Sequence, residues 1–250
     1  PLKDEIRHFR HIKVFLKDIK ELEEKISRVR EAPRRVAELR ARYEARQLSF
    51  EDLLSQAQAI GEAETFNRNG HKLYIKRIAR HYYVPVLLSD SEKIDYIRHV
   101  IRHPSELHFL SDLERYLEQG GNAFRELDWW AFSKIDETLD EVYIPYYDPN
   151  SNRIRRFIPD FIFWLQKGAD YAIVFVDPKG MQQAGYQHKV DGFRRIFRDK
   201  TGMPKPLSFN GLTVQVHLFL YTQDANRAPA GYREHWFDNP ASLPQVLIGD

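Results

Sequence analysis

The stretch that decides the fold is residues 157–180, which read FIPDFIFWLQKGADYAIVFVDPKG. Two mostly apolar runs, Arg155–Leu165 and Tyr171–Asp177, are separated by the turn sequence Lys167-Gly168-Ala169-Asp170. Short runs rich in Ile, Val, Phe and Trp that are bounded by turn residues predict β-strands. The second run is almost wholly apolar, so we expect it to be a central strand that is buried on both faces.

Further elements are predicted on both sides of these two strands. Val142–Tyr147 predicts a strand before them, and the segment from Pro104 to Gln119 predicts a helix before that strand. Residues 186–200 predict a second helix, and Leu212–Tyr221 a fourth strand. The order helix, three strands, helix, strand is typical of an α/β fold with a central mixed sheet flanked by helices.

The N-terminal residues 1–68 predict a helical segment. Its first half carries apolar residues that step by three and four positions, and Pro33 is expected to interrupt that helix. Ser49, with Asp52 three residues later, is a candidate N-cap of a further helix. We therefore expect a helical hairpin at 1–68, serving as an arm or linker, and a second domain at 69–250.

Composition limits the classes of function. Lys and Arg number 38 against 36 Asp and Glu, so the net charge is only +2 and any affinity for DNA has to come from local patches. The chain has no cysteine, which excludes disulfides, thiolate metal sites and cysteine nucleophiles. The N-terminus has no signal-peptide pattern and no apolar run is long enough to cross a bilayer, so we expect a cytoplasmic protein without a membrane partner. Because the chain starts at Pro1 without a methionine, we expect it to be a piece of a larger protein.

Two acids and a lysine in residues 157–180 form a pattern suited to metal-dependent hydrolysis. Residues i and i+2 of a strand point to the same face, so Asp177 and Lys179 are expected to project together, and Pro178 keeps a carbonyl oxygen that can bind a metal. Asp160 lies among apolar residues, where a metal ion shared with Asp177 would offset the cost of burying its charge. Mg²⁺ held by carboxylates supplies an activated water and neutralises developing negative charge, which phosphodiester hydrolysis requires.

Glu114 is a candidate third acid on the predicted helix before the strands. Leucines at positions 107, 110, 113 and 117 define the inward stripe of that helix, and Glu114 flanks the stripe. A solvent-facing surface acid is the alternative interpretation of Glu114.

Pro159-Asp160 followed by Asp177-Pro178-Lys179 resembles the PD-(D/E)xK nuclease motif, and the predicted element order is similar to the core of that superfamily. The sequence departs from the usual motif in the proline between Asp177 and Lys179. The resemblance implies that Asp160, Asp177 and Glu114 bind Mg²⁺, for which Mn²⁺ can substitute. It also implies that Lys179 orients the attacking water.

The longer text Ile144–Pro149, Arg156–Trp164 and Asp177–Gly180 further resembles the C-terminal endonuclease region of type III restriction enzymes. That resemblance covers about residues 101–222. It implies a double-stranded DNA substrate, an upstream helicase or translocase domain in the same polypeptide, and a modification methyltransferase subunit as a possible partner. ATP would act only through that upstream motor, because this chain has no Gly-x-x-x-x-Gly-Lys-Ser/Thr phosphate loop.

Local basic clusters are the candidates for contact with nucleic acid. One cluster, Arg155 and Arg156, precedes Asp160. The other lies on the second predicted helix and contains His188, Lys189, Arg194, Arg195 and Arg198. The resemblance places a supporting polar residue of some relatives at the position of His188 and Lys189. A solvated surface is an equally good interpretation of these residues.

Three functions remain open at this stage. The first is an endonuclease of a type III-like restriction system. The second is a repair or branched-DNA nuclease fused to a helicase, and the third is a catalytically inactive DNA-binding or assembly module. Under the inactive interpretation, Asp177 would face solvent and Asp160 would be a buried acid paired with Arg155 or Arg156.

Overall fold

The computed structural model describes residues 20–61, 63–78, 86–89, 100–138, 140–178 and 185–249. The chain divides into two compact units, one within His11–His103 and one within Pro104–Asp250. The division expected between residues 68 and 69 falls inside the first unit. In the part of the chain that is described, no helix combines the length and the apolar character needed to span a membrane.

The first unit combines two helices with a four-stranded sheet. Its elements are α1 (Lys20–Glu44), α2 (Phe50–Ala59), β1 (Ala63–Arg68), β2 (His71–Lys76), β3 (Val86–Ser89) and β4 (Val100–Ile101). The strands follow the order β1-β2-β3-β4, antiparallel except for the parallel pair β3 and β4. Strand β1 lies in the segment that the sequence assigned wholly to helices.

Helix α1 runs through Pro33, so the predicted interruption at this residue is wrong. The buried face of α1 continues on both sides of the proline, through Val29 and Ala32 before it and Leu39 after it, while Pro33 itself is exposed. Burial of that face offsets the hydrogen bond that proline cannot donate, because tertiary packing supplies most of the stability of a helix. The predicted cap of α2 is confirmed, since the Ser49 hydroxyl accepts a hydrogen bond from the backbone N–H of Asp52 at 3.0 Å.

The second unit is built around a six-stranded mixed sheet. Its helices are α3 (Pro104–Glu118), α4 (Tyr186–Phe197) and α5 (Ser242–Ile248). Its strands are β5 (Trp129–Lys134), β6 (Ile144–Asp148), β7 (Arg153–Phe157), β8 (Phe161–Lys167), β9 (Asp170–Pro178), β10 (Leu207–Phe209), β11 (Leu212–Tyr221) and β12 (Trp236–Phe237). The sheet order is β10-β11-β9-β8-β5, with β12 beside β11, and β6 and β7 form a separate two-stranded sheet.

The α/β class with a mixed sheet is confirmed, but the strand predicted at Val142–Tyr147 does not join the central sheet. Its place is taken by β5, which pairs antiparallel with β8. The run Arg155–Leu165 is also two strands, β7 and β8, that belong to different sheets. Pro159 and Asp160 separate the two strands, because Pro159 lacks a backbone N–H donor and Asp160 lies in a bend.

The prediction that Tyr171–Asp177 is central and buried is confirmed. Strand β9 lies between β8, to which it is antiparallel, and β11, to which it is parallel. Helix α3 packs on this sheet through Phe109, whose ring lies 5.4 Å from that of Phe161 and 5.2 Å from that of Tyr221. Burial of these aromatic faces stabilises the packing of α3 on the sheet.

The β6–β7 hairpin is held against α4 by a close backbone approach at Gly192. A Cβ atom at this position would lie 2.7 Å from the carbonyl oxygen of Pro145 and 2.7 Å from the Cβ of Tyr146. No real Cβ atom tolerates such distances, so only glycine lets the helix meet the strand here.

We therefore expect Gly192→Ala to destabilise the second unit by about 1–3 kcal/mol, the usual cost of overpacking. Alanine normally stabilises a helix interior by about 0.5–1 kcal/mol relative to glycine, so a net loss identifies the clash with β6 as the dominant effect. All four tryptophans lie within Pro104–Asp250, so their fluorescence during thermal unfolding monitors this unit alone. Gly120→Ala is the matched control, because a Cβ at Gly120 meets no atom within 4 Å. A midpoint for Gly192→Ala equal to that of the control would contradict the prediction.

Candidate active site

The two acids of the predicted motif lie at neighbouring ends of the central strands β8 and β9. The antiparallel ladder ends with Phe161 opposite Val176, and Asp160 and Asp177 are the next residues beyond that pair. The backbone N–H of Ile135 donates a hydrogen bond to the carbonyl oxygen of Asp160 at 2.8 Å, which ties this residue to the end of β5 as well. Asp160 and Asp177 therefore lie at the same edge of the central sheet.

Lys134, the last residue of β5, joins Asp160 to a buried acid on α3. Its Nζ lies 2.7 Å from Oε1 of Glu106 and 3.0 Å from Oδ1 of Asp160. Glu106 is only 1% exposed. One ammonium group therefore bridges two carboxylates that come from a helix and from the start of a strand.

Burial and the attraction between opposite charges set the protonation states of Glu106 and Lys134. Burial raises the pKa of the Glu106 carboxyl, and the Lys134 ammonium opposes that rise. Burial lowers the pKa of Lys134, but the carboxylates of Asp160 and Glu106 outweigh it, so the net shift of the Lys134 pKa is upward. Lys134 is therefore a cation throughout the physiological pH range.

Asp177 is buried at the end of β9, with 1% of its surface exposed. The interpretation that it faces solvent is therefore wrong. Pro178 is also buried and is the last described residue of β9. Lys179 lies outside the described residues. Under the inactive interpretation Asp160 was to pair with Arg155 or Arg156, whereas its ion pair in the structure is with Lys134.

The acid of α3 that reaches the site is Glu106, and the sequence reasoning selected Glu114. The two residues stand eight positions apart, which corresponds to about 12 Å along the helix axis. Glu114 is half-buried nearer the other end of α3. The helical period contained a signal for Glu106, because it precedes Phe109 by three positions and Leu110 by four and so shares their buried face.

Lys134 was missed for a different reason. It ends a strand, β5, that the sequence reasoning did not predict, so its proximity to Asp160 could not be inferred. Once β5 is paired with β8, Lys134 stands opposite Phe161, the neighbour of Asp160, and its Nζ lies 5.4 Å from the centre of the Phe161 ring.

The residues predicted to contact nucleic acid differ in their surroundings. Arg194 is engaged within the protein, since it donates hydrogen bonds to the carbonyl oxygen of Gly231, to Glu234 and to Nε2 of His235. Of the other candidates on α4, His188 and Lys189 are half-buried and Arg195 is exposed. Arg198 follows the helix, and its guanidinium lies 5.5 Å from the centre of the Phe193 ring. Arg155 and Arg156 on β7 are exposed.

The donor atoms at the ends of β8 and β9 suit Mg²⁺. This ion prefers oxygen ligands and usually takes one or two carboxylates, while water and substrate phosphate complete its shell. Asp160 and Asp177 are the two carboxylates at this edge of the sheet that could serve as such ligands. Over the described ranges, no three His, Asp or Glu residues gather into a group that could hold a metal ion, so the expected set of three acids that includes Glu114 is not assembled there.

Residues 97–206 match the family model described as the YagJ family. The matched range contains the residues of this site from Glu106 to Asp177, but it covers less than half of the chain. No curated protein and no solved structure matches the chain.

We expect Lys134→Met to destabilise the second unit by about 3 kcal/mol or more at neutral pH, because it leaves the buried Glu106 carboxylate without its cation. The pKa of Glu106, already raised, would rise further in this variant. A carboxyl whose pKa is higher in the folded than in the unfolded protein destabilises the fold at pH values above its unfolded pKa. The loss of stability should therefore shrink as the pH falls and Glu106 is protonated. Tryptophan-monitored urea unfolding from pH 8 to pH 5 measures this dependence.

The double variant Glu106→Gln/Lys134→Met is the matched control for this experiment. It removes both charges, so it should recover part of the lost stability at neutral pH and show a weaker pH dependence than Lys134→Met. Equal losses in the single and double variants at every pH would contradict the proposed charge balance.

Proposed function

We propose that this chain is a Mg²⁺-dependent nuclease that hydrolyses DNA phosphodiester bonds, with Asp160 and Asp177 as its metal-binding pair. The observation that carries the proposal is the end of the β8–β9 ladder, which brings these two acids to the same edge of the sheet, where Asp160 pairs with Lys134 and Lys134 with Glu106. Burial of a carboxylate such as that of Asp177 is costly, and an active site is a common reason for a fold to bear that cost.

The roles proposed for the residues follow from their positions. A bound Mg²⁺ supplies Lewis-acid stabilisation of the phosphate oxygens and a more acidic water. Asp160 and Asp177 hold the metal, and Lys134 orients Asp160 through its ion pair at 3.0 Å. Glu106 holds Lys134 from the side of α3. Lys179, two residues after Asp177, is assigned the orientation of the attacking water by resemblance to the PD-(D/E)xK motif.

The order of elements supports a PD-(D/E)xK core. Apart from β6, β7 and the short strand β10, helix α3, strands β5, β8 and β9, helix α4 and strand β11 follow one another as helix, three strands, helix, strand. The β6–β7 hairpin is an insertion between the first and second strands of that core. Asp160 immediately precedes the second strand and Asp177 lies near the end of the third, which are the positions that the motif assigns to its two acids.

The biological setting that we propose is a type III-like restriction system. Its support is the sequence resemblance across residues 144–180, and it implies an upstream motor domain that supplies ATP hydrolysis. A repair or branched-DNA nuclease has the same core chemistry. Cleavage of matched duplex, single-stranded and branched DNA substrates separates these settings, since a type III-like enzyme should prefer plain duplex.

A second candidate function is an inactive DNA-binding or assembly module. The observation that favours it is the ion pair of Lys134 with Asp160, because a carboxylate neutralised by lysine can serve structure alone. The two candidates differ in metal binding. A nuclease should bind Mn²⁺ with a calorimetric signal that Asp177→Asn removes, whereas an inactive module should give no such signal.

We expect Asp177→Asn to reduce Mg²⁺-dependent DNA cleavage by at least about a hundredfold, because metal stabilisation is worth several kcal/mol and each 1.36 kcal/mol is about tenfold in rate. Asp170→Asn is the matched control, since Asp170 is exposed at the opposite end of the same strand and should retain activity. Tryptophan fluorescence verifies that both variants are folded. A folded Asp177→Asn protein that cleaves DNA as well as Asp170→Asn would refute the assignment.

The two acids of α3 can be separated by the same assay. We expect Glu106→Gln to reduce cleavage, because Lys134 loses one of its two carboxylate partners and Asp160 loses its orientation. Glu114→Gln should have little effect if its distance along α3 keeps it from the site. The opposite ranking would restore Glu114 as the acid that serves the metal.

A further inference from the structure

The β6–β7 hairpin stands apart from the central sheet. Its strands pair only with each other among the described strands. The end near the core is anchored by Ile144 and Phe157, which face each other and are buried. Toward the tip, Ile154 is 68% exposed and Tyr147 opposite it is 49% exposed. The hairpin therefore projects from an apolar anchor into solvent.

The two faces of the hairpin have different surroundings. Opposed residues of an antiparallel pair share a face, so Tyr146 and Arg155 lie on one face with Asp148 and Arg153. The backbone approach between Gly192 of α4 and Tyr146 covers part of that face. The other face contains Pro145, Arg156, Tyr147 and Ile154, all of them exposed.

The exposed charged residues of the hairpin are mostly positive. Arg153, Arg155 and Arg156 are exposed, and the strand acid Asp148 forms an ion pair with Arg155 at 2.8 Å. Since the chain as a whole carries only +2, this cluster is a local positive patch on a nearly neutral protein.

Neighbouring groups restrain the exposed side chains. The Arg156 guanidinium lies 4.5 Å from the centre of the Tyr143 ring, and Tyr147 donates a hydrogen bond to Oδ1 of Asn152 at 2.8 Å. Restrained side chains lose less conformational entropy when they bind a ligand, which favours a role in contact rather than in solvation.

The hairpin leads directly into the candidate active site. Asp160 follows Phe157 by three residues, so the buried end of the hairpin lies within roughly 10 Å of it along the chain. The five residues of β7 then extend about 17 Å from that end, whereas phosphates of one DNA strand are spaced about 3.4 Å along the helix axis. A DNA strand beside the hairpin would thus present about five phosphates to it.

We infer that the β6–β7 hairpin is the docking element for double-stranded DNA, an inference that rests on the proposed nuclease function. Arg156, near the buried end of the hairpin, contacts phosphates close to the bond that is cut, and Arg153, at the far end of β7 and on the opposite face, contacts phosphates farther along the DNA. Tyr147 and Ile154, which are exposed toward the tip, enter a groove. A two-stranded β-ribbon fits the major groove of B-DNA. Duplex is favoured over single-stranded DNA because one face of Tyr143, which could otherwise stack on a base, is covered by Arg156.

The test compares DNA binding by the full chain and by Arg153→Gln/Arg156→Gln. Fluorescence anisotropy with a short duplex, in EDTA and over a series of salt concentrations, measures affinity without cleavage. Each phosphate contact contributes about 0.9 to the slope of log affinity against log salt, so the double variant should lower the slope by about 2. We also expect the affinity to fall by at least about tenfold.

Arg40→Gln/Arg42→Gln is the matched control, because both arginines are exposed on α1 and the pair removes the same charge. It should bind duplex as the unsubstituted chain does. Equal affinity and slope for the hairpin variant and this control would overturn the inference. Stronger binding to a single strand of the same sequence would overturn the assignment of duplex DNA. Unchanged DNA binding, with a dimer that dissociates in the hairpin variant during sedimentation, would assign the patch to a second copy of the chain instead.

The same variants separate this inference from the proposed function. Hairpin-dependent duplex binding without cleavage in Mg²⁺ would support the docking element and refute the nuclease. Cleavage that Asp177→Asn abolishes but Arg153→Gln/Arg156→Gln leaves intact would support the nuclease and refute the docking element.

Discussion

The antiparallel pairing of β8 with β9 is the constraint on which the candidate site depends. A shift of one residue in that register would move Asp160 away from Asp177 and turn alternate side chains to the opposite face of the sheet. The register is held by the apolar residues of both strands, which are buried almost without interruption, and by the parallel pairing of β9 with β11 on its other side. Hydrophobic burial thus positions two carboxylates that would resist burial by themselves.

The charge balance around Asp160 follows from the same arrangement. Glu106, Lys134 and Asp160 are distant in sequence but belong to elements that pack on or pair within the central sheet. A lone carboxylate as buried as Glu106 would be protonated or would destabilise the fold. The ammonium of Lys134 stabilises the charged form of this carboxylate. Such a network is compatible with both a metal-dependent active site and a structural ion pair, and metal binding distinguishes the two functions.

The insertion of the hairpin between β5 and β8 gives the second unit its distinctive surface. Gly192 permits α4 to approach β6 closely, so the hairpin is supported by a helix without joining the central sheet. Its arginines precede Asp160 by only a few residues. A positive surface and a cluster of acids are therefore adjacent along the chain, which is the arrangement that binding and hydrolysis of a polyanion would need.

Local pattern alone determined several features: the α/β class, the central strand β9, the limits of β11 and the cap of α2. These depend on short-range signals, namely apolar periodicity, turn residues and strand parity. Tertiary structure decided the rest. Which strand pairs with β8, which acid of α3 reaches Asp160, and whether Pro33 ends a helix all depend on contacts between distant segments. Lys134 illustrates the reason, since its role exists only through the pairing of β5 with β8, and residue spacing along the chain contains no information about that partner.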